Sequence, residues 1–229
     1  MKRFVIGDIH GAYRALLQCF ERSGFNRRAD LLICLGDLCD GWPDVVQVLD
    51  ELQGIKHLVL LRGNHDVWFL NWLTGGTAPD IWLMQGGDVT VGAYKNGVPA
   101  GHIELLKGAG LFHILDNYLF VHGGILPEFP IEKQAEEVLL WDRSLVKAAL
   151  LCRLGAEECQ LTPYKTVYVG HTPTLNFGEK IPIRSCGVCL MDTGAGWPGG
   201  VLTIMDIDTG EYFGSDVVSM LYEDYAGRL

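Results

Sequence analysis

LVLLRGNHD, at residues 58–66, decides the fold, because a run of four aliphatic residues passes without a polar break into residues that can bind a metal or move a proton. Such an apolar run is typical of a strand that is buried on both faces. Four other stretches have the same form: FVIGDIHG (4–11), LLICLGDLCDG (31–41), LFVHGG (119–124) and VYVGHT (167–172). Each apolar run stops at Asp or His beside a glycine, so five strands are predicted to end in polar side chains.

Amphipathic helices separate the first three predicted strands. Residues 12–25 and 44–52 place apolar side chains at helical spacing. The alternation of strand and helix predicts an α/β fold whose parallel strands are joined by right-handed crossovers. Because ligands of such sheets bind at the carboxyl ends of the strands, we expect the polar ends of the five runs to meet.

The remainder of the chain gives weaker signals. Residues 74–110 are rich in glycine and show no clear period, whereas the two halves of 131–159 look helical. Beyond residue 160, short strand-like runs follow one another with little helix between them, which predicts antiparallel or mixed sheet. Because no linker or repeat is evident, residues 1–229 are expected to form one mixed α/β domain.

The composition narrows the possible partners. A net charge of −10, from 18 Lys and Arg against 28 Asp and Glu, is opposite to that of a nucleic-acid binder. The apolar runs are too short to span a membrane and the N-terminus lacks a signal-peptide core, so a cytoplasmic location is expected. The seven cysteines are then expected to be reduced, and the C-x-x-C at 186–189 lacks the second pair of a zinc site.

The polar strand ends carry candidate metal ligands. Asp8 and His10, two residues apart in extended backbone, point to the same side. The further candidates after the later strands are Asp37, Asp40, Asn64, His65, His122 and His171. Oxygen and imidazole ligands without a thiolate suit Mn, Fe or Zn. Because the set exceeds the needs of one ion, it points to two ions about 3.5–4 Å apart that share a carboxylate and clamp an in-line displacement at phosphorus.

The ordered motifs resemble those of a known family. GDIHG, GDLCDG, RGNHD, HGG and GHTP, spread over residues 7–173, are similar to the signature blocks of the phosphoprotein phosphatase superfamily of metallophosphoesterases. Three further blocks resemble its bacterial and phage-type serine/threonine phosphatase branch: WLMQGGDVTVGAY (82–94), WDR (141–143) and MDTGAGWPGGVLTIMD (191–206). The resemblance implies an α/β/β/α sandwich of mixed sheets with a dinuclear metal site at the carboxyl ends of the strands.

The resemblance also implies a role for each matched residue. Asp8, His10 and Asp37 would hold the first ion, and Asp37, Asn64, His122 and His171 would hold the second. The expected ions are Mn²⁺, with Fe or Zn as alternatives, and the hydroxide between them would be the nucleophile. His65 would protonate the leaving alkoxide with Asp40 orienting its imidazole, while Arg62 and Arg143 would grip the phosphoryl oxygens.

One position departs from the family pattern. The second block usually continues with Asp-Arg-Gly, but here it runs Asp40, Gly41, Trp42, so an arginine expected at the phosphate is absent. Losing one charge-assisted contact would weaken phosphate binding by about 1.5–3 kcal/mol unless a Lys or Arg from elsewhere replaces it. We expect Trp42 to pack on the helix that follows; stacking on an aromatic group of the substrate is the alternative.

Other conspicuous residues are assigned supporting places. His57, His102 and His113 lie outside the matched blocks and are expected at the surface or in structural positions. Trp68, Trp72 and Trp82 are expected to pack in the core, or else to line the wall of the substrate groove. Asp192 is expected to end a strand near the site and to support the site without binding metal.

Three functions are compatible with these motifs. The first hypothesis is a metal-dependent phosphatase that hydrolyses phosphomonoesters, with phosphoserine and phosphothreonine of proteins as substrates. The second is a hydrolase of symmetrical dinucleoside polyphosphates or another small phosphate ester. The third is an interaction module that keeps the scaffold without catalysis, although every expected ligand, His65 and Asp40 are present. Neither nucleic acid nor a membrane is an expected partner.

Overall fold

Two five-stranded mixed sheets form the centre of the computed structural model, which describes residues 1–155 and 159–228. The first sheet has the order β10-β9-β1-β2-β3, and its strands are β1 Arg3–Ile6, β2 Leu31–Cys34, β3 His57–Leu60, β9 Thr203–Asp206 and β10 Tyr212–Gly214. The second has the order β4-β5-β6-β8-β7, and its strands are β4 Phe112–Leu115, β5 Tyr118–Val121, β6 Thr166–Val169, β7 Ile183–Ser185 and β8 Val188–Leu190.

Strand directions place the carboxyl ends of the motif-bearing strands on the same edge of each sheet. β1, β2 and β3 run parallel, as do β5, β6 and β8. The remaining strands β4, β7, β9 and β10 pair antiparallel with their neighbours. The predicted mixture of parallel and antiparallel pairing beyond residue 160 is therefore confirmed.

Alternation along the buried strands feeds two different cores. In β1, Phe4 and Ile6 pack under helices, whereas Val5 faces the second sheet. That inter-sheet core includes Ile33 from β2, Phe120 from β5 and Met205 from β9. A third core lies between the second sheet and the helices that follow β5, and the layers are therefore helix, sheet, sheet, helix. The expected α/β/β/α sandwich is confirmed.

Nine α-helices of the described residues connect and cover the sheets. They are α1 Tyr13–Ser23, α2 Val45–Gln53, α3 Asn64–Leu73, α4 Asp80–Trp82, α5 Asp88–Ala93, α6 Ala100–Gly108, α7 Glu136–Trp141, α8 Ser144–Gly155 and α9 Val218–Leu221. The first two confirm the periodicities at 12–25 and 44–52. The two helical halves of 131–159 correspond to α7 and α8, although 156–158 lie outside the described residues. None of the described helices combines the length and apolar character needed to span a bilayer.

The expectation that all seven cysteines are reduced is wrong for one pair. Cys159 and Cys186 form a disulfide, whereas Cys19, Cys34, Cys39, Cys152 and Cys189 are free. Cys186 therefore pairs with a residue 27 positions away and not with its C-x-x-C neighbour Cys189, which is buried in β8. The pairing joins Cys159 to the turn between β7 and β8, and no local spacing in the sequence predicts that contact.

The three conspicuous tryptophans, and the histidines outside the motifs, occupy structural positions. Trp82 is fully buried in the helix-side core, and Trp68 and Trp72 pack against that core while partly buried. His102 is buried between Tyr94, whose hydroxyl lies 2.8 Å from Nδ1, and Asp50, whose carboxylate lies 2.9 Å from Nε2. His57 begins β3 and His113 lies in β4.

Candidate metal centre and active site

A cavity of about 260 Å³ opens where the carboxyl ends of the parallel strands meet. Asp8, Asp37, Asn64, His65 and His171 line it, and each follows a strand of one of the five sequence motifs. The expected convergence of these strand ends is thus present. A larger surface depression of about 610 Å³ lies beside Arg27 and Arg28, at the amino end of β2 and away from these side chains.

Two groups of buried side chains share Asp37. The ligand atoms of Asp8, His10 and Asp37 lie within 4.8 Å of one another, and those of Asp37, His122 and His171 do the same. Asn64, the first residue of α3, joins the second group because its Oδ1 lies 3.0 Å from Nε2 of His122. The six residues predicted as metal ligands are therefore neighbours, with Asp37 between the two groups.

The protein backbone fixes which nitrogen of each histidine faces this cluster. Nδ1 of His10 lies 2.8 Å from the carbonyl oxygen of Cys39, and Nδ1 of His122 lies 2.9 Å from that of Leu35. A carbonyl only accepts, so each Nδ1 carries a proton and donates it. In the neutral rings, Nε2 then presents a lone pair toward Asp37 Oδ2, at 3.8 Å from His10 and 3.5 Å from His122. Lone pairs directed at a carboxylate call for a cation between them.

Further buried atoms of the cluster lack a protein partner. Among the described residues, Asp8 Oδ1 and His171 Nε2 are buried and accept no hydrogen bond. Burying an unpaired polar atom is costly, so two ions, one in each ligand group, would satisfy these atoms. The donor set therefore fits divalent metal ions, with Asp8, His10 and Asp37 on one side and Asp37, Asn64, His122 and His171 on the other.

Burial favours the uncharged form of most of these groups. It lowers the pKa of His10 and His122, and it lowers the pKa of His171 to about 2. Burial, together with the charges of Asp192 and Asp37, raises the pKa of Asp8 well above its usual range. For Asp37 burial acts in the same direction, but the positive charge that the surrounding histidines carry when protonated outweighs it and lowers the pKa. Neutral imidazoles around an ionised Asp37 are the protonation states that a cation requires.

Backbone strain accompanies this arrangement. Four of the site residues have left-handed backbone conformations, with φ of 50° at His10, 50° at Asp37, 74° at Asp40 and 61° at His171. Residues other than glycine rarely adopt these angles, and such strain concentrates at functional sites. The motif glycines have a different reason, close approach: a Cβ at Gly63 would collide with the Asp37 carboxylate, and one at Gly170 with Oδ1 of Asp8.

His65 and Asp40 form a buried pair beside the cluster. Nδ1 of His65 lies 2.6 Å from Asp40 Oδ2, and that oxygen also accepts the indole N–H of Trp82 at 2.7 Å. The other carboxylate oxygen accepts the hydroxyl of Thr90 at 2.7 Å. The Asp40 carboxylate thus accepts from three donors, and its contact with Nδ1 fixes the ring so that Nε2 is the free nitrogen.

Asp66 connects the loops that carry the ligands. Its carboxylate accepts the backbone N–H groups of Asp37 at 2.8 Å, Leu38 at 2.9 Å and Gly63 at 2.9 Å. One buried side chain therefore ties the end of β2 to the start of α3. The arrangement fixes Asp37 relative to Asn64 and His65. The sequence motifs do not indicate this supporting role of Asp66.

The two predicted phosphate-binding arginines are placed differently. Arg143 is exposed, lines the cavity and donates from Nη2 to the carbonyl oxygen of His171 at 3.4 Å. Arg62 is not among the residues that line the cavity: its Nη2 donates to Ala109 O at 3.3 Å, and its Nη1 lies 3.9 Å from Glu136 Oε1. Asp192 lines the cavity, where burial raises its pKa to about 6 and its Oδ1 accepts the N–H of Gly194 at 2.9 Å.

Sequence reasoning missed several residues of the site. Gln85, Trp141, Trp197 and Arg228 also line the cavity. Trp82, Gln85 and Thr90 lie in the WLMQGGDVTVGAY block, so the resemblance contained a signal for them, whereas Arg228 had none.

Trp42 is fully buried, which excludes stacking on a substrate. Its ring packs on Tyr222, with ring centroids 5.2 Å apart, and not only on the helix that follows.

A sandwich of this topology with carboxylate, amide and imidazole side chains at its strand ends is typical of metal-dependent phosphoester hydrolases. The family model described as calcineurin-like phosphoesterase matches residues 1–181. The chain therefore belongs to the calcineurin-like phosphoesterases, enzymes that use a dinuclear centre of divalent metal ions.

Relatives of the chain have two activities in their names. A symmetrical bis(5'-nucleosyl)-tetraphosphatase of Nitrosomonas europaea is 29% identical over 150 residues, which are 62% of this chain and 54% of that protein. Serine/threonine-protein phosphatase 2 of Escherichia coli is 30% identical over 155 residues, 64% of this chain and 70% of that protein. The chain spans about half the length of the first curated relatives that it matches, with 54% and 48% for two tetraphosphatases.

A solved structure agrees with the fold. The crystal structure of a proposed diadenosine tetraphosphatase superposes with a TM-score of 0.70 at 18% identity, covering 93% of this chain and 92% of that one. At this identity the likeness shows the common fold alone.

Proposed function

We propose that the protein hydrolyses phosphomonoesters in a dinuclear metal site, with phosphoserine and phosphothreonine side chains of proteins as its substrates. The single observation that carries the proposal is the Asp37 carboxylate shared by two ligand groups beside the His65–Asp40 pair. Asp8, His10 and Asp37 would hold one ion, and Asp37, Asn64, His122 and His171 the other. When bound, two such ions polarise a phosphoryl group and lower the pKa of a coordinated water.

The chain's own residues supply proton transfer and orientation. His65 donates the proton of Nε2 to the leaving oxygen, and Asp40 supports the charged ring that exists before the transfer. Arg143 offers planar N–H donors to the phosphoryl oxygens from the cavity wall. Arg62 takes part only if its weak contacts to Ala109 and Glu136 are exchanged for the phosphate, and a turn of its side chain would allow this.

The size of the cavity favours a phosphorylated side chain as the substrate. About 260 Å³ lies below the roughly 300–1,000 Å³ of typical small-molecule pockets, so it admits a phosphoryl group and the first atoms of its ester. A protein substrate would leave the rest of its chain outside. Localisation in the cytoplasm with Mn²⁺ as the ion is part of the same proposal. A single domain over residues 1–229 is supported by the pairing of β1 with β9, from opposite ends of the chain.

A second candidate is the hydrolysis of symmetrical dinucleoside polyphosphates. It is favoured by Trp141, which lines the cavity while 39% exposed and could stack on a base, and by the tetraphosphatase relatives. On this alternative, Trp141→Ala would raise KM for diadenosine tetraphosphate and leave KM for a phosphopeptide unchanged.

The deciding experiment compares turnover of a phosphoserine peptide and of diadenosine tetraphosphate by the Mn²⁺-loaded protein. Faster turnover of the peptide, abolished by a chelator and by Asp37→Asn, is expected; Asp80→Asn, an exposed carboxylate, is the matched control. Turnover that persists without metal would contradict the mechanism. Normal metal loading without turnover of any phosphate ester would instead favour the interaction module.

A further inference from the structure

The guanidinium of Arg228 faces the cavity, and no carboxylate of the part of the chain that the structure describes pairs with it. Its Nη1 lies 3.1 Å from Nε2 of His10, and its Nη2 donates to Gln85 Oε1 at 3.2 Å. Its Nε is buried and unpaired, and among the described residues no carboxylate forms an ion pair with it. The plane of the group lies over the Trp197 ring, 4.8 Å from its centroid. A cation held in this way at a cavity is suited to an anion.

Gly41 leaves the space that the Arg228 stem uses. Gly41 stands where the family pattern has its phosphate-binding arginine, and a Cβ added there would lie 3.1 Å from Cγ of Arg228. The backbone of Gly41 has a φ of +114°, a conformation that other residues rarely adopt. Glycine at position 41 therefore removes the family's arginine from the second motif, and it also leaves the space that the side chain of Arg228 approaches.

Trp42 forms the surface on which the Arg228 segment docks. Its indole N–H donates to Ala195 O at 2.7 Å, and its ring stacks on Tyr222. Gly227 lies against the same ring, because a Cβ there would come within 2.7 Å of Trp42 Cζ2. The backbone N–H of Arg228 then donates to Gly196 O at 2.8 Å, which fixes where its side chain starts.

We propose that Arg228 supplies the phosphate-binding guanidinium that the second motif lacks, and that Gly41 and Trp42 are the part of that motif adapted to receive it. The inference rests on the proposed phosphoesterase function. The lone pair of His10 Nε2 can accept an N–H of Arg228 or bind a metal ion, but not both. Once an ion takes that lone pair, the Nη1 donors of Arg228 are free for the phosphoryl oxygens, beside Arg143 on the same cavity.

The test compares Arg228→Ala and Arg228→Lys with Arg28→Ala, an exposed arginine at the amino end of β2. Three quantities are measured on the Mn²⁺-loaded protein: KM for a phosphomonoester, the inhibition constant of inorganic phosphate, and phosphate affinity by calorimetry. Arg228→Ala removes a charge-assisted donor. We expect it to raise KM and the inhibition constant, and to lower the phosphate affinity, each by about tenfold to a hundredfold. Arg228→Lys should lose less, Arg28→Ala should match the wild type, and free guanidinium should restore part of the loss in Arg228→Ala.

Coupling to Gly41 gives a second readout. A Cβ at Gly41 presses on the Arg228 stem, so Gly41→Ala is expected to weaken phosphate affinity in the wild-type background and to add little in the Arg228→Ala background. Equal effects in both backgrounds would show that Gly41 acts independently and would overturn the assigned adaptation of the motif.

Two results would overturn the role of Arg228 itself. One is a phosphate affinity in Arg228→Ala equal to that of the wild type. The other is a rise in Mn²⁺ affinity with no change in phosphate affinity, which would mean that the guanidinium only competes with the ion for His10. Phosphate calorimetry needs no turnover, so it decides the inference even where the wild-type protein hydrolyses no phosphate ester and the proposed function fails.

Discussion

The carboxylate of Asp40 lies 2.6 Å from Nδ1 of His65, and both side chains are almost completely buried. Trp82 donates to the same oxygen and Thr90 to the other oxygen of this carboxylate, so Asp40 cannot turn away from the imidazole. The pair therefore behaves as one rigid unit whose free nitrogen faces the cavity. If His65 is the proton donor, its efficiency depends on a residue that never touches the substrate.

Replacing Asp40 with Asn tests this dependence. An amide cannot support the charged imidazole, and an NH₂ group in place of Oδ2 would meet the indole N–H of Trp82, which only donates. We expect kcat for an alkyl phosphate to fall by about 10²–10⁴. An aryl phosphate with a good leaving group needs little protonation and should lose much less. The check is to measure kcat of Asp40→Asn and of the wild type on the alkyl and on the aryl phosphate, with the metal content of the two proteins held equal.

Asp50→Asn is the matched control for that substitution. Asp50 also accepts from a buried histidine, His102, at 2.9 Å, but neither residue lines the cavity. We expect kcat of the Asp50→Asn variant on both substrates to stay within about twofold of the wild-type value, since distant sites act independently. An equal loss on both substrates in Asp40→Asn would argue against proton donation by His65.

The role of Asp66 leads to a prediction about stability. Asp66→Ala leaves three buried backbone N–H groups, those of Asp37, Leu38 and Gly63, without an acceptor. At about 1–3 kcal/mol for each unpaired donor, the free energy of unfolding should fall by at least about 3 kcal/mol. Urea denaturation of the chelator-treated protein measures it without a contribution from metal. Asp80→Ala, at the surface, should change stability by less than about 0.5 kcal/mol; equal stability of the two variants would contradict the prediction.

The shared carboxylate leads to a prediction about metal stoichiometry. His10 belongs to only one ligand group and His171 only to the other, whereas Asp37 belongs to both. We expect about two bound ions in the wild type, about one in His10→Asn and in His171→Asn, and weak binding at both positions in Asp37→Asn. Elemental analysis after gel filtration in metal-free buffer measures these ratios. Retention of one tight ion in Asp37→Asn would show that Asp37 does not bridge.

The strands and their polar ends could be predicted because each is encoded locally. Val5, Ile33 and Phe120 belong to apolar runs whose length and composition indicate strands buried on both faces, and parallel strands bring their carboxyl ends together. Asp8, Asp37, Asn64, His122 and His171 follow from that placement. Their roles in catalysis remain predictions.

The supporting contacts could not be predicted, because they join segments with no shared pattern. Trp82 and Thr90 reach Asp40 across 42 and 50 residues from a stretch whose glycines hid its helices. Arg228 reaches His10 across 218 residues. The Cys159–Cys186 disulfide likewise joins residues that are 27 positions apart. Side chains that complete a site from distant segments are set by tertiary packing, which sequence periodicity does not record.

The closeness of Gly170 to Asp8 gives a prediction about metal affinity that involves no ligand substitution. A Cβ at Gly170 would collide with Oδ1 of Asp8, a buried oxygen for which the described residues provide no hydrogen-bond donor. Gly170→Ala should therefore displace the carboxylate and weaken Mn²⁺ binding by about tenfold or more, since one misplaced ligand costs at least as much as a lost supporting contact.

Gly92→Ala is the control for this substitution, because the residue lies in α5 and a Cβ there meets nothing within 4 Å. That variant should bind Mn²⁺ like the wild type and gain up to about 1 kcal/mol of stability from the better helix propensity of alanine. Calorimetric titration of both variants with Mn²⁺ measures the difference, and equal affinities would mean that Asp8 is not held against Gly170 when the ion binds.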